Sequence, residues 1–331
     1  MRTIDVHAHI VPRSLWKAIE EKKEWFGYRH EPGPGLGTVV GCGMRTHFTS
    51  PKVRYTVEER LKDMDAEGTD MQVLSIHPPF YGYHLDAAQG QKLARDANTE
   101  IAEMMREHPA RFSGFATVPV QDVKSAIAEL EYAVTQLGLK GAELDTQVNG
   151  EQWDDPKFLP FFKAAEAMGT VLFYHPQPQN NFMLDRVPRY RLNNSLGVIL
   201  DDAIVAAVLI CGGVLEKCPD LKVCIAHGGG PISYAMGRLD RGWKALPEAE
   251  RTPHPPSVYG RRLYYDTVTG SEAALRFLLA QVGADRVVLG SDWPFVPFDP
   301  GPSGWVSNMK SISAEEKEKI LWRNLATLLK L

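Results

Sequence analysis

Four segments of the chain each end a short apolar run with histidine or aspartate, and together they have the residue types of a metal site. They read Asp5-Val6-His7-Ala8-His9, Phe173-Tyr174-His175, Ile225-Ala226-His227 and Leu289-Gly290-Ser291-Asp292. Imidazole nitrogens and carboxylate oxygens bind zinc at about 2.0–2.2 Å, and a site that keeps one coordination position open is catalytic. The four segments therefore indicate metal-assisted chemistry on a small molecule.

The pair His7 and His9 has the spacing of two ligands on one strand. Side chains alternate between the faces of a strand, so both imidazoles point the same way and can chelate one cation. Asp5 shares that face, and we expect it to orient a ligand. An HxH pair alone also occurs by chance, and a lone His175 or His227 is more often a hydrogen-bonded core histidine. The four segments together favour a metal.

Eight short apolar runs alternate with longer amphipathic segments along the chain. The runs cover roughly residues 3–9, 70–76, 112–118, 139–145, 170–175, 222–227, 262–267 and 286–291. Helices are predicted between them, over residues 57–67, 93–107, 123–137, 158–168, 203–215, 231–244, 272–282 and 314–328. Alternating strands and helices predict a parallel α/β sheet with right-handed crossovers.

Eight such units favour a closed (β/α)8 TIM-type barrel over an open sheet. An open dinucleotide-binding sheet would have a GxGxxG motif after its first strand, and the sequence has none there. In a barrel, the carboxyl ends of all the strands meet at one face, where enzymes of this fold keep their active sites. The four histidine- and aspartate-ended segments would converge at that face.

Composition is that of an ordinary globular chain, with 44% hydrophobic and 24% charged residues and a net charge of -4. The 331 residues fit a single domain over residues 1–331, because such barrels commonly take about 250 residues or more. No basic stripe or block of like charge suggests a nucleic acid or a membrane surface as a partner.

The chain has no signal-like leader and no uninterrupted apolar run of bilayer length. Its four cysteines (Cys42, Cys211, Cys218 and Cys224) fit neither a disulfide framework nor a zinc ribbon. Cys211 and Cys224 lie in apolar runs and are predicted to be core residues. We therefore expect a reduced, cytoplasmic protein.

One long segment interrupts the alternation after the first strand. It runs from about residue 12 to residue 54, and glycine and proline are frequent between residues 31 and 54. Some forty residues is long for a connection in a compact domain. We expect an irregular insertion that serves as a lid or substrate loop, with a surface excursion or dimer arm as the alternative.

Five motifs in this order resemble the amidohydrolase superfamily, in the amidohydrolase-2 branch typified by 2-amino-3-carboxymuconate 6-semialdehyde decarboxylase. They are Asp5 to His9, Met64 to Val73, Tyr174-His175-Pro176, His227-Gly228-Gly229-Gly230 and Gly290-Ser291-Asp292-Trp293-Pro294-Phe295. They span nearly the whole chain. The resemblance implies a barrel with one divalent metal ion, usually Zn2+, held by His7, His9, His175 and Asp292.

The same resemblance implies a chemistry. His227 would do acid–base work on water at the metal, and Asp292 would assist proton transfer. The implied activity is metal-dependent, non-oxidative decarboxylation (a C–C lyase reaction) of a small unsaturated or aromatic carboxylic acid. A hydrolase or hydratase acting on a C–C or C–N bond of a ring-cleavage-type acid is the close alternative, because one water-activating site serves all these reactions. A silent binding protein that kept the barrel is a third.

Candidate substrate ligands follow from the carboxylate that such substrates carry, which arginine's planar fork binds well. By resemblance, Arg238 reaches the neighbouring active site of a homodimer; a solvated helix arginine is the alternative. Arg45 or His47 is the candidate for a family arginine in the first loop, although the local sequence does not align cleanly. Trp293 suits a flat conjugated substrate, or packs at the barrel mouth.

The fourth apolar run contains the acidic residue Glu143 near its centre and ends with Asp145. Many amidohydrolases bind a second metal through a modified lysine on this strand, and Glu143 could in principle bridge such a pair. A pocket-lining or structural role is the other interpretation, and we expect one metal.

Overall fold

The computed structural model describes residues 2–41, 43–295, 298 and 300–331. The strands within these residues are β1 (Ile4–Ile10), β2 (Arg29–Glu31), β3 (Thr38–Gly41), β4 (Met44–His47), β5 (Met71–Ile76), β6 (Phe112–Gly114), β7 (Gly141–Leu144), β8 (Val171–Tyr174), β9 (Lys222–Ile225), β10 (Tyr264–Asp266) and β11 (Val287–Val288). The α-helices are α1 (Arg13–Glu20), α2 (Val57–Glu67), α3 (Ala87–Glu107), α4 (Val123–Thr135), α5 (Leu159–Met168), α6 (Met183–Arg186), α7 (Val198–Cys211), α8 (Val214–Lys217), α9 (Ile232–Ala245), α10 (Pro256–Gly260), α11 (Glu272–Val282), α12 (Pro302–Asn308), α13 (Ala314–Glu318) and α14 (Asn324–Leu329).

The eight predicted apolar runs are the strands of a parallel barrel, β1 and β5 to β11. Regular pairing joins β1, β5 and β6 in one arc and β7 to β11 in another. Backbone hydrogen bonds close both seams: Glu143 donates to Ala116 at 2.9 Å, and Val6 donates to Leu289 at 2.9 Å. The predicted (β/α)8 barrel is confirmed.

Helix ends follow local capping chemistry. Helix α2 occupies the predicted residues because Thr56 and Glu59 form a capping box at its start and Gly68, at φ +69°, ends it. Helix α3 begins six residues earlier than the predicted 93, where the Asp86 side chain accepts from the Gln89 backbone. The polar first turns of α3 carry no apolar periodicity, so the pattern missed them.

The insertion after β1 is ordered, which corrects the expected irregular loop. It contains α1 and an antiparallel sheet in which β3 pairs with both β2 and β4. Gly43, at φ +78°, lies in the short turn between β3 and β4, a conformation that glycine adopts at little cost. The sheet buries Val39 and Phe48 in the main hydrophobic core. The prediction for the four cysteines includes Cys42, which lies outside the described residues.

The helical stretch Asn193–Cys211, which contains α7, is long and apolar enough to cross a membrane on length and composition alone. Its apolar window has a mean hydropathy of 1.9, and 44% of it is buried in the fold. Val205 and Leu209 lie in the hydrophobic core. Helix α7 is therefore an outer-layer helix packed on the barrel. Cys211 at its end is exposed, contrary to expectation, whereas Cys218 and Cys224 are buried.

Candidate metal centre

Four side chains meet at the carboxyl end of the barrel: His7, His9, His175 and Asp292. One donor atom from each lies within 4.8 Å of the others. The two Nε2 atoms of His7 and His9 are 3.1 Å apart, and Asp292 Oδ1 is 3.3 Å from each of them. The strand ends thus bring the four residues predicted as metal ligands to one point. Among the described residues, these four form the group of metal-ligating side chains that the fold brings together.

Asp5 fixes the backbone on both sides of the cluster. Its Oδ1 accepts from the backbone amides of His7 and Ser291, each at 3.0 Å, and its Oδ2 accepts from the Ser291 hydroxyl at 2.6 Å. Asp5 thus contacts the ligand candidate His7 through its backbone amide and not through its imidazole. It instead ties β1 to the loop that carries Asp292, whose φ is +58°.

The hydrogen bonds of His7 and His175 leave their Nε2 atoms free for a cation. His7 Nδ1 lies 2.6 Å from Asp266 Oδ2, and His175 Nδ1 lies 2.9 Å from the Pro176 carbonyl. Since each acceptor requires a proton on Nδ1, each Nε2 carries the lone pair. His175 Nε2 is buried and has no hydrogen-bond partner among the described residues. An orphaned lone pair facing two imidazoles and a carboxylate fits a divalent metal.

The sequence analysis missed Asp266, although the signal was present. It is the last residue of β10, so it lies at the carboxyl end of a barrel strand, the same end at which His175 follows β8 and Asp292 follows β11. Its Oδ1 also accepts from the backbone amides of Gly228 and Val268 at 2.8 and 3.0 Å. Those two bonds fix the carboxylate that orients His7.

Electrostatics in the cluster favour a cation. Burial opposes ionisation of both His7 and Asp292, but their mutual attraction outweighs it. The pKa of His7, which also faces Asp266, is raised well above its usual range, and the pKa of Asp292 is held well below. Burial lowers the pKa of His9 to about 4 and keeps the pKa of His175 well below normal. A proton on His7 thus occupies the place that a metal ion would take.

His227 stands beside the four and is held by a different carboxylate. Its Nδ1 is 2.8 Å from Asp202 Oδ2 on α7. Its ring centroid lies 4.9 Å from that of His175 and 5.3 Å from that of His7. Burial alone would lower the pKa of His227, but the charge of Asp202 and the hydrogen bond to it raise the pKa above the usual value. The predicted helix began at residue 203, so Asp202 gave no sequence signal.

Glu143 on β7 lies next to His9. Its Oε1 is 3.5 Å from His9 Nδ1, and the side chain is fully buried. Within the described residues no well-formed hydrogen bond reaches either carboxyl oxygen, although the Ser75 and Tyr81 hydroxyls lie near enough to favour the ionised form weakly. Burial raises the pKa of Glu143 well above the usual range. A carboxyl group whose ionisation is opposed by burial is a poor bridge for a second metal.

Arg60 on α2 supports the site through contacts with residues next to it, and the sequence gave no signal for this role. Its Nη1 donates to the His9 carbonyl at 2.9 Å, and its Nε donates to Gln72 Oε1 at 2.8 Å. The guanidinium lies 3.9 Å from the centroid of the Trp293 ring. Trp293 Nε1 in turn donates to Asp63 Oδ2 at 2.6 Å. One helix therefore fixes both the His9 backbone and the residue after Asp292.

Three of the predicted substrate ligands have exposed side chains in this chain. Alternation along β4 exposes Arg45 and His47 and buries Thr46. Arg45 pairs with Glu31 at 2.8 Å, and Thr38 Oγ1 is 3.4 Å from His47 Nδ1. Arg238 is exposed on α9. Contacts within the described residues add no support for their assignment as substrate ligands.

The remaining predicted substrate residue, Trp293, is only 4% exposed and is held by Arg60 and Asp63. The side of the site next to His9 is instead aromatic. The His77 ring is 4.5 Å from Phe295 and 6.0 Å from His9, measured between centroids. Phe48, from the inserted sheet, lies 6.4 Å from His77. The insertion thus contributes a ring near the metal ligands.

Comparison with known proteins agrees with this architecture. The family model described as amidohydrolase matches residues 4–331. A 2-amino-3-carboxymuconate-6-semialdehyde decarboxylase from Dictyostelium discoideum is 32% identical over 97% of this chain and 89% of its own length. The crystal structure of a 5-carboxyvanillate decarboxylase from Sphingomonas paucimobilis has a TM-score of 0.84 at 26% identity, covering 100% of this chain and 99% of that one.

A third protein shares the fold and was crystallised with a metal. It is a dihydroxybenzoic acid decarboxylase from Polaromonas with bound manganese and the inhibitor 2-nitroresorcinol. Its TM-score is 0.78 at 24% identity, with coverage of 100% of this chain and 97% of that one.

Proposed function

The chain belongs to the amidohydrolase family, and from that membership we propose that it is a metal-dependent, non-oxidative decarboxylase of a small unsaturated or aromatic carboxylic acid. The observation that carries the proposal is the convergence of His7, His9, His175 and Asp292 within 4.8 Å, with the buried Nε2 of His175 unpartnered. The named relatives with this architecture are decarboxylases of such acids. The reaction replaces a carboxylate by hydrogen and releases CO2, so it needs no oxidant.

His7, His9, His175 and Asp292 would hold one divalent metal, with Zn2+ as the proposed ion. When bound, the metal would act as a Lewis acid toward substrate oxygen and water. Three nitrogen donors and one carboxylate suit zinc, and manganese in the Polaromonas decarboxylase makes it the second candidate. Asp266 and the Pro176 carbonyl keep two of the imidazoles in the metal-binding tautomer.

His227 is the proposed proton carrier. Asp202 binds its Nδ1 proton, so Nε2 is left to exchange a proton with the substrate or with water. The raised pKa of His227 means that the ring can be protonated near neutral pH and can deliver a proton to the carbon that loses CO2. Asp292 stays ionised because the two histidines stabilise its negative charge, and it can accept a proton from water or return one.

Aromatic rings beside His9 suit a planar, conjugated substrate. Phe295 and His77 offer faces and edges to such a ring, and Phe48 extends this wall. We retain Arg238 as a proposed carboxylate ligand that acts across a homodimer, because its exposed guanidinium is available to a second subunit. A single domain over residues 1–331 and a cytoplasmic location also stay predictions.

The same residues could serve a hydrolase or hydratase on a ring-cleavage-type acid, and one observation keeps this alternative open. His227 and Asp292 face the same cluster, so either could deprotonate water as readily as protonate carbon. The fate of the carboxylate separates the two reactions.

A substrate panel tests the proposal. The zinc-loaded protein is incubated with hydroxybenzoates, carboxyvanillate-type acids and unsaturated semialdehyde acids, while CO2 release and ultraviolet absorbance are both recorded. We expect CO2 release with at least one acid, lost in His175→Ala and in His227→Asn. Turnover of an acid without CO2 release would overturn the decarboxylase proposal.

A further inference from the structure

A second cavity opens on the same end of the barrel, beside helix α7. It has a volume of about 330 Å³, within the size range of small-ligand sites, about 300–1,000 Å³. Its walls come from the segments that follow β7 and β8 and from α7, and none of the four metal-cluster residues lines it. The lining residues are Thr146, Gln147, Gln152, Asn180, Asn181, Phe182, Asp185, Asp201 and Ile204.

Asp201 is the charged group inside this cavity. Its residue is only 8% exposed, and its buried Oδ2 accepts no hydrogen bond from a described residue. Helix α7 also carries Asp202, but that carboxylate is paired with His227. Asp201 is thus a buried acceptor without a donor, which is costly unless something supplies one.

The surroundings of Asp201 supply no positive charge. The described lining contains two carboxylates, Asp185 and Asp201, and neither lysine nor arginine. Neighbouring Asp145 is already saturated, because Gln177 and Asn180 both donate to its Oδ2. Burial and the nearby Asp145 and Asp202 raise the pKa of Asp201 to about 7. A partner for Asp201 has to bring hydrogen-bond donors, and a cationic partner would also offset the repulsion among these carboxylates.

The cavity also has an apolar wall. Phe182 is 41% exposed and Ile204 is 42% exposed, and both are large hydrophobic side chains that line it. A bare inorganic cation would not use this surface. A ligand with a charged head and a short hydrocarbon body would bury it.

We propose that this cavity binds a small organic primary ammonium ion, with its –NH3+ group on Asp201 and its hydrocarbon part against Phe182 and Ile204. The ammonium group supplies three donors, and the cavity lining offers acceptor oxygens on Asp201, Gln147 and Gln152. The site is separate from the metal centre and does not depend on the proposed decarboxylation.

The test uses n-butylammonium chloride as the probe with the metal-loaded protein at pH 8, where Asp201 is ionised. Binding is measured by calorimetry and by the shift in melting temperature, with ionic strength held constant by tetramethylammonium chloride. We expect saturable binding that n-butanol and potassium chloride fail to reproduce. Binding of potassium as tight as that of n-butylammonium would overturn the organic-ligand proposal, and no n-butylammonium binding would overturn the site.

Asp201→Asn is the matched variant, because the amide resembles the neutral acid already accessible at this position. We expect it to keep the wild-type melting temperature and metal content and to bind n-butylammonium at least about tenfold more weakly, the loss expected for one charge-assisted hydrogen bond. Asp285→Asn, which alters an exposed carboxylate 73% accessible to solvent, is the control and should bind as wild type does.

Two results for Asp201→Asn would count against the proposal. Unchanged n-butylammonium affinity would show that the probe binds elsewhere. A changed oligomeric state in gel filtration would show that a side chain of a second subunit, and not a small ammonium ion, occupies the cavity.

Discussion

Asp266→Asn should weaken metal binding, because Asp266 fixes the tautomer of His7. Asp266 Oδ2 lies 2.6 Å from His7 Nδ1, and both side chains are fully buried. Oδ1 accepts from the Gly228 and Val268 amides at 2.8 and 3.0 Å. An asparagine that keeps those two bonds must turn its own NH2 toward His7 Nδ1. His7 then has to carry its proton on Nε2, the atom that faces the metal position.

The opposite amide orientation is no better. It would restore an acceptor for His7 but would place the NH2 against the two donating amides of Gly228 and Val268. Loss of such an orienting partner typically lowers metal affinity about 10- to 100-fold, which is about 1.4–2.7 kcal/mol. We expect the upper half of that range, because in either orientation of the amide its NH2 group faces another N–H donor.

The assay is a competition for Zn2+ between the protein and a chromophoric chelator at pH 7. Asp70→Asn is the control, since Asp70 also accepts a backbone amide, that of Thr3 at 2.8 Å, but at the amino end of β1. Zinc affinity of Asp266→Asn within about threefold of wild type, a difference of about 0.7 kcal/mol, would refute the tautomer argument. Equal weakening by Asp70→Asn would attribute the loss to general destabilisation.

Three further predictions follow from the charges of the site. The pKa of His7 is raised well above normal without metal, so zinc must displace a proton from His7 when it binds. Zinc affinity should therefore rise about tenfold per pH unit between pH 5.5 and 6.5, and a pH-independent affinity would contradict this. Asp202→Asn removes the carboxylate that raises the pKa of His227. If catalysis needs protonated His227, kcat/KM of the variant should begin to fall at a lower pH than that of wild type. An alkaline limb of the pH profile at the wild-type position would exclude His227 as the acid. Glu143→Gln replaces a carboxyl group whose ionisation is opposed by burial, so metal analysis should find one ion per chain in variant and wild type alike, whereas two ions in wild type and one in the variant would reveal a bridging Glu143.

The barrel and the metal cluster were predictable because their signals are local. Each barrel strand is a short apolar run, and His175 and Asp292 directly follow such runs. The polar first turns of α3 and the sheet in the insertion were missed, because capping and short antiparallel strands leave weak periodicity. The turn at Gly43 and the alternation that exposes Arg45 became visible only in the structure.

The residues that support the site were harder to predict than the ligands. Asp202 lies inside a helix, and only the packing of α7 on the barrel brings it to His227. Arg60 is distant in sequence from both His9 and Trp293, which it contacts. An arginine on an amphipathic helix usually faces solvent, so its burial had no sequence signal.

The fate of hydrogen and oxygen during turnover tests the proposed reaction most directly. An acid that the zinc-loaded protein consumes is converted in D2O and, separately, in water enriched in 18O, and product and gas are analysed by mass spectrometry. We expect one CO2 per molecule consumed, one deuterium on the carbon that lost the carboxylate, and no 18O in the organic product. A product that retains its carboxylate and contains solvent 18O would contradict decarboxylation and establish hydrolysis or hydration at the same metal centre.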